Sequence, residues 1–191
     1  MSEPKSLESR PQSTQLRYQI EQLLEWIEGA HDHTAGLKEQ IEFSKYDDIP
    51  LDRHFNGGVT TLFLSLTLIV EKAQAAYQLA RVAEKSAALP AEEKKHLHFI
   101  DEIPFWEGVL FQLIGVETRI EDAIDKAEGI AFRMEDEKLK KELESQLTNF
   151  AAALERAKLA HSRIRERTEA IREILGKPKK PKASRKRGLT Q

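Results

Sequence analysis

The chain has no cysteine, which rules out a disulfide framework, a thiolate nucleophile and a cysteine-bound zinc site. That suits an intracellular protein, cytoplasmic, or nuclear if the cell is eukaryotic. Long hydrophobic runs are missing too. The most apolar stretch, VTTLFLSLTLIV at 59–70, is twelve residues, short of the roughly 18–20 needed to span a membrane. The opening MSEPKSLESRPQSTQ contains no apolar segment of signal-peptide length, so a soluble protein is expected. Proline is absent between Phe105 and Lys177, leaving that stretch free to be helical. No Ser/His/Asp nucleophile arrangement is readable, and nothing in the sequence demands an enzyme or a cofactor.

Negative charge is missing from the end of the chain. All 32 Asp and Glu precede Lys177, together with 23 of the 30 Lys and Arg. The body therefore has a net charge of −9 and the last fifteen residues one of +7, although the whole chain stands at only −2. Lys177, Lys179, Lys180, Lys182, Arg185, Lys186 and Arg187 form a block of like charge interrupted by prolines. Such a segment is expected to stay disordered and to act as an interaction arm. One partner for it is a nucleic-acid phosphate backbone, gripped without sequence preference and with strong salt dependence. The tail offers no aromatic for base stacking. KKPKASRKR also resembles basic nuclear-localisation runs. An acidic protein surface, on a partner or on the chain's own body, is the third reading.

Apolar spacing divides the rest. Residues 1–14, with Pro4, Pro11 and many Ser and Gln, read as a disordered lead. Helical spacing begins with Leu16, Ile20, Leu23, Leu24 and Ile27 and continues with Leu37 and Ile41. Gly29 and Gly36 each weaken a helix by about 1 kcal/mol relative to Ala, so a break around HDHTAG is expected. Tyr46–Gly58 reads as a connection. Val59 to about Ser86 is the second element. Its first half alternates like a strand at Leu64, Leu66 and Leu68, but no other segment offers a strand partner. It is therefore expected to be a helix, apolar all round at first and buried at the bundle centre. The third helix starts near Pro104. Trp106, Leu113, Ile120, Ala127 and Met134 fill one core position of its heptads, and Val109, Val116, Ala123 and Ile130 fill the other. After a break in RMEDEKLKKE a new register runs from about Lys138 to Leu175. There Leu143, Phe150, Ala157, Ile164 and Ile171 alternate with Leu147, Leu154, His161, Thr168 and Leu175.

The fold this implies is an all-α antiparallel bundle of about four long helices with coiled-coil-like heptad packing. Disordered tails at 1–14 and 177–191 flank a helical body at 15–176, and the fourth helix is long enough to protrude as an arm. The heptad-patterned third and fourth helices are the expected surfaces for self-association or for a helical protein partner.

A few polar residues fall where apolar ones belong. His161 interrupts the last seam and Glu117 flanks the third-helix stripe. Glu71 sits in the row Leu64, Leu68, Ala75, Leu79, Val82, and His31 follows Leu24 and Ile27 at core spacing. Each lies near the middle of its helix, so the four could share one layer. Two histidines and two carboxylates there would make a metal site of a kind that bundle cores can build. A hydrogen-bonded layer that fixes helix register is the plainer reading. Glu28-Gly-Ala-His31 and Glu93-Lys-Lys-His96 have the spacing of di-iron bundles, but Lys158 precedes His161 where that plan needs Glu. Arg156 and His161 have the loose Arg-to-His spacing of a class of helical ribonucleases, inside a regular heptad run. Gly57-Gly58 could receive an anion if a helix began there.

The functional expectation is a non-enzymatic helical-bundle interaction or scaffold protein, a subunit of an oligomer or hetero-complex. Its basic arm would meet an anionic partner. A nucleic-acid-associated protein and a metal-binding four-helix-bundle protein or enzyme are the alternatives.

Overall fold

The computed structural model of the protein describes residues 11–43, 53–90 and 102–176. It shows four helices: α1 (Gln12–Phe43), α2 (Arg53–Ala88), α3 (Ile103–Arg133) and α4 (Glu137–Gly176). At 1.5 Å per residue they measure about 48, 54, 46 and 60 Å. Adjacent helices pack antiparallel, in a ring α1–α2–α3–α4 that closes on α1.

The third and fourth helices follow their heptads. All nine seam positions are buried, eight on α3 from Trp106 to Ile130 and Met134 just past its end. On α4, Leu143, Phe150, Leu154, Ala157, Ile164 and Thr168 are buried, while Leu147, His161 and Ile171 are half-buried. Burial thus extends along most of α4, which lies on the bundle and does not project as an arm. The polar Thr168 is accommodated because its hydroxyl donates to the Ile164 carbonyl at 2.8 Å, one turn back. Between the two helices the chain turns in three residues, Met134–Asp136. The Asp136 carboxylate accepts from the backbone N–H groups of Lys138 and Leu139 at 2.9 and 3.0 Å. It is therefore the N-cap of α4 and satisfies two otherwise unpaired donors.

Three sequence expectations change. The helix does not break at HDHTAG, because Ala30, Thr34 and Leu37 keep one face of α1 in the core. Thr34 also donates to the Ala30 carbonyl at 2.9 Å. A Cβ added at Gly29 or Gly36 would meet nothing within 4 Å. Gly29→Ala and Gly36→Ala are therefore each expected to raise stability by about 0.5–1 kcal/mol. Chemical denaturation checks this, and a loss at either site would contradict a straight, unstrained α1.

The helical boundaries also widen. Gln12–Thr14, expected in the disordered lead, belong to α1, and Arg53–Gly58, expected in a connection, belong to α2. Gly57-Gly58 therefore lies inside a helix and offers no N-terminus to an anion. The remaining residues of the lead, the Glu93-Lys-Lys-His96 run and the tail 177–191 lie outside the described residues.

The third change concerns α2. The row Leu64, Leu68, Ala75, Leu79, Val82 is not the core row. Leu64 is 56% and Leu68 43% exposed. Burial falls on Leu62, Leu66, Ile69, Ala73, Ala76, Ala80 and Ala83, a 4-3 spacing that turns small residues inward along the second half. The helix is apolar on two faces, and only one of them is used inside the bundle.

Candidate functional site

Hydrogen bonds fix which residues of neighbouring helices share a level. Across α1–α2, Tyr77 donates to Glu21 at 2.8 Å and Gln74 to Glu28 at 3.1 Å. Across α2–α3, Lys126 donates to Ser65 at 3.1 Å, and Gly108 and Gly115 face Leu79 and Lys72. Across α3–α4, Lys158 pairs with Glu121 at 3.2 Å. By this register His31, Glu71, Glu117 and His161 do lie at one level of the bundle. They do not converge. His31 is on the α1–α2 seam, where Nε2 is 3.2 Å from Thr67 Oγ1, Nδ1 is 3.2 Å from Asp32, and the ring sits 4.8 Å from that of Phe63. Glu71 points out of the bundle and is exposed. Glu117 and His161 meet on the opposite, α3–α4, seam, with 2.9 Å between Nδ1 and Oε1. Core side chains such as Ile69, Val116 and Ile120 occupy the middle.

Among the described residues, no group of three or more His, Asp or Glu side chains is placed to hold a metal ion. Glu117 and His161 would supply two ligands. Arg156 and His161 leave α4 on different flanks, Arg156 stacking on the Trp26 ring of α1 at 4.1 Å and His161 facing α3. His33 is exposed.

Two arrangements were not foreseen from the sequence. The first is a clasp at the end of the bundle where α4 finishes. Arg167 donates to both carboxylate oxygens of Glu102, at 2.7 and 2.8 Å, and to Gln12 at 3.0 Å. Trp106, fully buried, donates its indole N–H to Glu102 at 2.9 Å. One carboxylate thus binds α3 to α4, and through Arg167 to the start of α1. The i, i+4 spacing of Glu102 and Trp106 was visible, but the partner 65 residues away was not.

The same end of the bundle is tied further by polar contacts between α1 and α2. Arg17 pairs with Glu21, and Glu84 lies 3.1 Å from Arg17 Nε. The Glu84 contact is close enough for charge attraction but out of line for a hydrogen bond. Burial works to lower the Arg17 pKa, but Glu21 and Glu84, helped by Tyr77, outweigh it and hold the pKa above its ordinary value.

The second unforeseen feature is the outer face of α2 and α3. Leu64, Leu68 and Val82 on α2, with Phe111 on α3, are exposed, Phe111 at 69%. They occupy neighbouring rows on two packed helices, where single scattered apolar residues would call for no comment.

Fold and polar groups together define an all-α antiparallel four-helix bundle whose internal polar groups pair across helix seams. Comparison of the chain with protein-family models, with curated proteins and with solved structures finds no match. No helix among the described residues is long and apolar enough to cross a membrane.

Proposed function

We propose that this is a non-enzymatic interaction protein, a bundle that works as a subunit of an assembly and carries a basic arm for an anionic partner. The observation that carries the reading is the exposed apolar face of α2 and α3, on a bundle whose core is already complete without it. The heptad seams of α3 and α4 are buried within the monomer, so a protein partner would use this outer face instead. Support for the arm comes from charge. Two carboxylates near the end of α4 have cationic partners of their own, Glu102 with Arg167 and Glu107 with Arg172. They have little to offer the seven cations that follow Gly176.

The test of the arm is fluorescence anisotropy with labelled DNA, RNA and an acidic peptide. It compares the full chain with one truncated after Gly176, at low and physiological salt. Binding is expected to require the tail and, on duplex DNA, to weaken with a log–log slope of up to about −6 for seven phosphate contacts. If nucleic acid binds in this way, the phosphate-backbone reading stands. If only the acidic peptide binds, the partner is a protein. If no anionic probe binds the full chain, the arm has no such function.

A further inference from the structure

The outer row of α2 repeats the spacing of its inner seam. Leu64, Leu68, Glu71, Ala75, Gln78, Val82 and Lys85 follow one another at intervals of four and three residues. This is the stripe along which one helix meets another in a coiled coil. The inner stripe is filled by the protein's own helices, and the outer one is unpartnered. Its polar members are ordered. Glu71 and Lys85 lie the same distance on either side of Gln78, and all three are exposed. Among the described residues neither Glu71 nor Lys85 has an ion-pair partner in its own chain.

We propose that the outer face of α2 and α3 binds a second copy of this chain, antiparallel, about a twofold axis at Gln78. The inference rests on the reading of the protein as an assembly subunit and identifies the surface and the partner. In a twofold interface a residue i that meets j is matched by a j that meets i, so the stripe must complement its own reverse. About Gln78 it does. Glu71 meets Lys85 of the other copy twice over, Ala75 meets Val82, Leu68 comes level with Ala88 at the end of α2, and the two Gln78 amides meet each other. Phe111 also fits. By the α2–α3 register it lies level with Ala76, about 3 Å from the axis along the helix, so the two exposed rings flank the centre. Centring the axis between Leu64 and Leu68 would set Glu71 against Thr61 and leave Lys85 and Val82 outside the contact. The overlap from about residue 68 to 88 is two helices wide and about 30 Å long. It buries on the order of 600 Å² per copy, at the lower end of the range of specific dimers.

The charge layout agrees. Exposed Asp125 and Glu128 follow Glu121 and Asp122, which pair with Lys158 and Lys126, along the half of α3 away from the end where α4 finishes. In cis, Glu121–Glu128 lie about 27–38 Å along the bundle from Gly176. In the antiparallel pair they overhang the other copy's end, about 9–20 Å from its Gly176. Fifteen residues of extended chain span up to about 50 Å. That reach covers both distances, and the antiparallel pair shortens the path from the seven cations of one copy to the carboxylates of the other by about 18 Å.

Sedimentation equilibrium of the full chain over a wide concentration range tests this, with charge swaps at exposed positions that leave the core untouched. Glu71→Lys and Lys85→Glu are each expected to weaken the dimer by about tenfold, since every substitution acts twice. The combined Glu71→Lys/Lys85→Glu chain should regain affinity to within about threefold. Because the chain has no cysteine, Gln78→Cys provides a single probe. It should cross-link to itself on mild oxidation, as a position on the axis must. Leu64→Cys, whose copies would stand about 42 Å apart along the helix, should not. Truncation after Gly176 should weaken the dimer at low salt. A chain that stays monomeric throughout, a double swap that fails to recover, or cross-linking through Leu64→Cys as readily as through Gln78→Cys would overturn the proposal. A monomer whose tail still binds an anionic probe would remove this interface and leave the arm standing.

Discussion

Glu102→Ala is expected to cost about 3–5 kcal/mol, the loss seen when one partner of a buried ion pair is removed. The side chains of Glu102 and Arg167 are only 14% and 16% exposed. Removing the carboxylate strands a guanidinium that cannot deprotonate and leaves the Trp106 indole N–H without its acceptor. In a chain of this length the melting temperature should fall by roughly 10 °C. The control is the paired change Glu102→Ala/Arg167→Met, which removes the stranded charge with its partner and should recover much of the loss. A single-variant cost below about 1 kcal/mol would show that the clasp is no more than a solvated surface contact.

Trp106→Ala should be as damaging, by about 3–5 kcal/mol. The indole is fully buried, and it stands at the head of the α3 seam, whose other positions are filled. No neighbouring side chain is free to move in, so the cavity adds to the lost transfer energy. Trp106→Phe keeps most of the ring but not the N–H, and is expected to lose about 1–2 kcal/mol. Urea denaturation followed by circular dichroism separates the two, provided the slope m stays constant. Equal losses for Ala and Phe would place the energy in the hydrogen bond and not in packing.

These effects centre on α3, where the sequence was most legible. From Trp106 to Met134 every seam position is apolar, and the seam runs unbroken. One hydrophobic period therefore admits one orientation. In α2 the same rule fails. Leu64, Leu66 and Leu68 place large apolar groups on two sides, and a reading by size favours the stripe with more leucine. The buried stripe is instead the one with Ala73, Ala76, Ala80 and Ala83. Small residues let neighbouring helices approach, and close packing rewards fit as well as bulk. HDHTAG misled for a related reason. The propensity cost of two glycines is local, whereas Ala30, Thr34 and Leu37 hold the helix through contacts made across the bundle.

The polar candidates were half-legible. Counting residues from the helix ends placed His31, Glu71, Glu117 and His161 at one height. Direction around each axis depends on which helices are neighbours in the ring, and short polar breaks in a pattern do not encode that. His161 was drawn from the centre to the α3–α4 flank by Glu117. Glu102 and Arg167 were overlooked because neither interrupts an apolar run. Their pairing exists only once α3 and α4 have been laid side by side.

The ring of helices has an asymmetry of connection. Three of its sides are joined by chain, the α3–α4 side through only three residues. The side between α4 and α1 is not joined by any loop. It is held by contacts such as Arg156 on Trp26 and Arg167 with Gln12, residues 155 apart. Bringing such distant segments together demands the largest loop-closure entropy of any contact in the bundle. Folding is therefore expected to begin in the α3–α4 hairpin and to finish when α1 swings onto α4. Unfolding retraces the order, with α1 as the staves' loose edge and the Arg167 contact as the latch that opens first.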